Sequence, residues 1–168
     1  MTRRSFTAFL TIALFVSTEA AAAVAQKRSS PPEAAEITEI SLSYAGSHFA
    51  ASSGFTLILR KDGTAAFEGA KNSSREGDFV GTFDKKEFAK LAKFIVAQEF
   101  FALENDYIEN IQDGGMTTTR VCFAGGEKTV RNNSWRKSQS ADNRLPDIEN
   151  AVSAIDSRLL IRWKKLKK

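Results

Sequence analysis

Along residues 83–103 the apolar positions follow helical spacing. Phe88, Leu91, Ala92, Ile95 and Ala102 form one stripe, and Phe94, Phe100 and Phe101 widen it. Asp84 stands at the N-cap, and Glu87, three residues on, gives the spacing of a capping box. Phe83 and Phe88, at N′ and N4, have the spacing of a hydrophobic staple. A helix this apolar has to be covered, and the segments on either side read as strands that cover it.

Upstream, Ile40, Leu42 and Tyr44 alternate with Glu39, Ser41 and Ser43, the two-residue period of a half-buried strand. Phe55 to Arg60 reads as a second strand, apolar on both faces at Leu57, Ile58 and Leu59, and Thr64 to Glu68 as a third. Asp62-Gly63 between them predicts a two-residue hairpin turn, since both residue types tolerate positive φ. A polar linker, 69–76, leads to a fourth strand over 78–83, which runs into the helix cap.

Beyond the helix, 104–116 is an acidic loop with Tyr107, Ile108 and Ile111 as apolar anchors. Residues 117–124 and 127–133 predict a second hairpin around Gly125-Gly126. A polar loop, 134–144, carries Trp135. Pro146 suits the first turn of a last helix in which Ile148, Val152, Ile155 and Leu159 share a face, with Trp163 closing it. Hairpins dominate and no β-α-β unit is evident. The expected fold is therefore α+β: a single domain with a mainly antiparallel sheet of about six strands and two helices, in the order ββββ-α-ββ-α.

The start of the chain is of another kind. Thr2-Arg3-Arg4-Ser5-Phe6, an apolar run over 8–16 and an alanine-rich stretch are the three regions of a secretory leader. Cleavage after Ala23-Val24-Ala25 is expected, followed by a flexible lead-in over 26–35, the domain over 36–163 and a basic tail over 164–168. The Arg-Arg pair also resembles a twin-arginine export signal. The expected location is periplasmic or secreted, with no membrane span after processing.

Charge and chemistry narrow the functional classes. The net charge of +4 is mild and falls to about +3 without the leader, with much of the excess in the C-terminal tail, so no nucleic-acid partner is expected. Arg162 to Lys168 reads as the charged, frayed end of a helix. One cysteine, Cys122, excludes an internal disulfide. As a nucleophile it would need His48, the one histidine, yet mid-strand placement makes it a small half-buried side chain. Asp106, Glu109 and Asp113 lie in the acidic loop without the order of a calcium loop. The chain contains no phosphate loop, dinucleotide fingerprint or nucleophile elbow. No catalytic residue, metal ligand or cofactor is assigned.

The second hairpin carries the sharper signal. A Gly125-Gly126 turn places Arg120 directly opposite Arg131, with Thr118, Cys122, Thr129 and Asn133 on the same face. Such a face suits an anion or acidic partner, with Trp135 at its rim; alternatively, carboxylates nearby neutralise both arginines.

Several landmarks occur together. They are Ser43-Tyr44-x-Gly46, Asp62-Gly63-Thr64, Phe67-Glu68-Gly69, Phe100-Phe101-x-Leu103, Tyr107, Asp113, Thr117-Thr118-Thr119, Gly126-x-Lys128-x-Val130 and Ile148-Glu149 followed by Ile155-Asp156. This combination, over nearly all of 36–163, resembles a family of exported bacterial domains of unknown function. The resemblance implies export and an α+β fold and brings no assigned activity. Relatives often carry a cysteine pair before the second strand, where this chain has His48 and Ser52, with Ser53 in place of the following proline. The leading expectation is a non-catalytic binding module for a protein or cell-envelope component, using Arg120, Arg131, Asn133 and Trp135. The alternative is a cell-envelope hydrolase using carboxylates of the 104–113 loop.

Overall fold

The structure, a computed structural model, describes residues 30–46, 54–73, 75–110, 114–133, 143–157 and 161–166. The expected leader, His48, Ile111, Asp113, Trp135 and Leu159 lie outside them.

One sheet organises the domain. Its strands are β1 (Ile37–Ala45), β2 (Gly54–Arg60), β3 (Thr64–Gly69), β4 (Gly77–Thr82), β5 (Asp106–Tyr107), β6 (Met116–Phe123), β7 (Gly126–Asn132) and β8 (Arg162–Lys165). They lie side by side in the order β5-β7-β6-β1-β2-β3-β4-β8. Among the described residues only β5 and β7 run parallel, and every other neighbouring pair is antiparallel. Among the described residues two α-helices, α1 (Lys85–Ala97) and α2 (Arg144–Ser157), complete the α+β domain.

The alternation in β1 puts Ile40 and Leu42 into the core, next to Leu59 and Leu57 on β2 and to Val121 and Thr119 on β6. Ile37 is buried as well, although it stands three positions before Ile40, an odd spacing that would put it on the other face. A bulge between Ile37 and Glu39, against β6, makes this possible: the inserted residue resets the two-residue period. The buried row continues through Ala65 and Phe67 on β3 and Val130 on β7. Phe88, Leu91, Ala92 and Ile95 of α1 meet it from one side, together with Leu145, Ile148, Val152 and Ile155 of α2.

The structure corrects several sequence expectations. Eight strands form instead of about six. The additional ones are the two-residue β5 in the acidic loop and β8, which occupies residues expected to be a frayed helical end. The β2–β3 connection has three residues, Lys61-Asp62-Gly63, and only Gly63 is at positive φ (84°). Asp62 keeps ordinary backbone angles because its Oδ1 accepts from both the backbone N–H (2.9 Å) and the hydroxyl (2.7 Å) of Thr64. These bonds hold its carboxyl below the usual range.

At α1, Asp84 is the N-cap, but its side chain accepts from Lys86 N at 2.8 Å, and no capping box closes. Glu87 instead accepts from the Lys90 ammonium at 2.6 Å, one turn on. Phe83 and Phe88 do share the core. The helical stripe stops earlier than its spacing implies. Glu99 turns left-handed (φ 52°), and a short 3-10 turn over Phe100–Ala102 follows. That reversal drives Phe100 fully into the core and leaves Ala102 exposed.

Candidate functional site

The two faces of the sheet differ. One carries the core. On the other, Val80, Ala66, Ile58, Ser41, Arg120 and Thr129 line up across β4, β3, β2, β1, β6 and β7. None of these except Ser41 is buried. Strands alternate side chains between faces, so the polar positions of the two hairpins necessarily share this surface.

Arg120 lies near its centre. Its Nη2 donates to Glu39 Oε1 at 2.8 Å and its Nη1 to Glu127 Oε2 at 3.2 Å. Glu39 Oε2 in turn accepts from Arg60 Nε at 3.1 Å. Alternating charges thus run across β2, β1, β6 and β7 in the order Arg60, Glu39, Arg120, Glu127. Exposure of these side chains limits what the pairs add to stability, to about 0–1 kcal/mol each. Their main effect is to hold the guanidinium and carboxylate planes in place on rigid strands. Cys122 is a free, half-buried thiol whose Sγ lies 3.9 Å from Glu127 Oε2. Burial pushes it up, and Arg120 opposes that only in part.

The register corrects the arginine pairing. Phe123 pairs with Gly126, so the turn is Ala124-Gly125; Arg120 faces Thr129, and Arg131 faces Thr118. The arginines share a face without opposing each other. Arg131 Nε donates to Asp106 Oδ1 at 2.6 Å, and this bond holds the Asp106 carboxyl below the usual carboxylate range. Both arginines are therefore neutralised, Arg131 by the acidic loop and Arg120 by neighbouring strands. Beside Arg131 a polar notch of about 380 Å³ opens at the sheet edge, lined by Asn105, Asp106, Glu127, Lys128, Thr129 and Arg131. Lys128 crosses the edge from the opposite face, donating at 2.6 Å to both Leu103 O and Asn105 Oδ1. Burial lowers the pKa of its ammonium.

Asn133 directly follows β7 and is engaged with the acidic loop. Its Oδ1 accepts from Glu109 N at 2.7 Å, and its amide donates to Glu109 O at 2.9 Å, so it clamps the acidic loop to the end of β7. The structure brings Arg120 and Arg131 onto one face, assigns Asn133 to holding a loop, and does not describe Trp135. Of the loop carboxylates, Asp106 is committed to Arg131. Among the described residues no group of three or more His, Cys, Asp or Glu side chains converges.

Two carboxylates escape sequence reasoning. Glu149 and Asp156 are seven residues apart on α2 and flank its buried stripe. Glu149 accepts from the Asn132 amide, 3.3 Å from each oxygen, and burial pushes its carboxyl up to about 7 while that hydrogen bond works against the shift. The available signal is positional: each acid directly follows a core isoleucine, Ile148 or Ile155.

No curated protein matches this chain. The family model for a domain of unknown function, DUF6438, matches residues 39–156, which spans β1 to the end of α2 and includes Arg120, Arg131 and both buried-side carboxylates, and the chain belongs to that family.

Proposed function

We propose that the domain is a non-catalytic binding module for a protein or cell-envelope component, and that its open sheet face is the contact surface. The observation that supports this is the array Arg60, Glu39, Arg120, Glu127, fixed side by side on four strands. Donors and acceptors oriented on strands lose little side-chain entropy when a partner docks, unlike charges on loops. The notch beside Arg131 adds a concave edge to the surface. Export is part of the proposal and rests on the leader over 1–25; mass spectrometry of the exported chain should find an N-terminus at Gln26. The competing hydrolase reading is weaker because Asp106, its first carboxylate, is tied to Arg131.

The test is a pull-down from cell-envelope extract with the native chain, Arg120→Glu/Arg131→Glu and Arg120→Gln/Arg131→Gln. Charge reversal sets a third carboxylate beside Glu39 and Glu127, so unfolding midpoints are measured in parallel. A partner kept by the native chain and lost by the folded Gln variant supports the reading. Equal retention by all three overturns this face as the contact surface.

A further inference from the structure

On the helix-covered side of the sheet, away from the open face, a guanidinium sits in an aromatic cage. Arg75, in the β3–β4 connection, places its Cζ 4.8 Å from the Phe67 ring centroid, 5.1 Å from Trp163 and 5.7 Å from Phe79. Its Nη1 donates to the two carboxylate oxygens of Asp156 at 2.9 and 3.1 Å. Trp163 Nε1 donates to Asp156 Oδ1 at 2.7 Å. The walls come from β3, β4 and β8, and the carboxylate comes from α2.

The walls of the cage also contact one another directly. Phe67 packs edge-on against Phe79 and Trp163, with centroids 6.3 and 6.0 Å apart, so the rings fix one another. The indole N–H gives Asp156 a second donor besides the guanidinium. A second cation, Lys165 Nζ, lies 5.6 Å over Phe79, so the cluster draws cations from more than one direction. The occupant, by contrast, belongs to a connection whose residues Ala70, Lys71, Asn72 and Glu76 are exposed, ahead of Gly77 at φ 103°. Arg75 keeps about a quarter of its side chain in solvent (26 %). Flat rings with a carboxylate between them suit a planar guanidinium better than a compact, strongly hydrated ammonium.

We propose that Phe67, Phe79, Trp163 and Asp156 form a receptor for a guanidinium group, filled at rest by Arg75. An arginine side chain of a partner protein takes its place when the Arg75 side chain swings out. Arg75 is then a competitor built into the chain, and it weakens the apparent affinity of the site by the fraction of time it occupies the cage.

The experiment follows the Trp163 indole N–H resonance of the ¹⁵N-labelled full chain, assigned with Trp163→Phe. Three short peptides that differ at one position, Arg, Lys or Ala, are titrated in. The Arg peptide is expected to shift the resonance saturably, the Lys peptide several-fold more weakly and the Ala peptide not at all. In Arg75→Ala the Arg peptide is expected to bind at least about tenfold more tightly, because the internal competitor is gone. Asp156→Asn should weaken it, and Arg120→Gln/Arg131→Gln should leave it unchanged, which separates this site from the open face. No saturable shift in the native chain, or equal shifts from the Arg and Ala peptides, overturns the proposal. The native titration decides even if Arg75→Ala fails to fold.

Discussion

Glu149→Gln isolates the one carboxyl, among the described residues, that burial keeps protonated up to about pH 7. Its pKa is raised from 4.5 to about 7, chiefly by burial. At about 1.4 kcal/mol per pH unit, that displacement amounts to about 3 kcal/mol of stability linked to its protonation. The sign follows from proton uptake: between pH 4.5 and about 7 the folded chain holds a proton that the unfolded chain has released, so stability falls as pH rises through this window. The contribution is fully present below 4.5 and lost above about 7. Glutamine keeps the shape and the oxygen that accepts from Asn132, and it cannot ionise. Urea unfolding followed by circular dichroism should give nearly equal stabilities for native and variant near about pH 4. Near about pH 8 the variant should be about 3 kcal/mol more stable. Subtracting the two curves cancels groups common to both chains, His48 included. A difference that does not change with pH, or a variant less stable near pH 8, would refute the reasoning.

Thr119 is fully buried between Leu42 and Val130, and among the described residues its hydroxyl has no hydrogen-bond partner. Thr119→Val keeps the branched shape and should raise stability by about 1 kcal/mol in thermal or urea unfolding; a loss would show that the hydroxyl has a partner after all. Phe100→Ala should cost about 3–5 kcal/mol, because Phe100 is fully buried, whereas half-buried Phe101→Ala should cost clearly less; equal losses would contradict the reversal at Glu99. The Cys122 thiol is pushed up by burial, so alkylation at neutral pH should be several-fold slower than that of free cysteine and should go on rising with pH after a free thiol has fully ionised; a rate matching free cysteine would show the thiol to be more open than it is here.

Local pattern carried much of this fold. The alternation at Ile40 and Leu42, the stripe Phe88, Leu91, Ala92 and Ile95, the face Ile148, Val152 and Ile155, and both hairpins are visible in the chain, because helix and strand periods follow from backbone geometry. They are enough to specify an α+β domain with two helices. They also place Arg120 and Arg131 on one face, since a two-residue turn pairs Arg120 with a β7 position an even number of residues from Arg131.

Register, reversals and partners depend on the rest of the chain. The Ala124-Gly125 turn, rather than Gly125-Gly126, moves Arg131 opposite Thr118, a choice made by the whole ladder down to Thr117 and Asn132. Glu99 adopts a left-handed angle with no glycine to announce it, because the fold gains a fully buried Phe100 in return. Residues 162–165 read as a charged tail, yet they pair with the exposed edge of β4 and bring Trp163 to Phe67. Glu39, Glu149 and Asp156 look like ordinary polar positions in the sequence. Their partners, Arg120, Asn132 and Arg75, are 81, 17 and 81 residues away. The sequence by itself thus determined the elements and which side chains share a face, because those depend on neighbours within a turn or along a strand. Only the tertiary structure decided which carboxylate meets which cation and which acid loses its water, because those depend on strands and helices that are far apart along the chain.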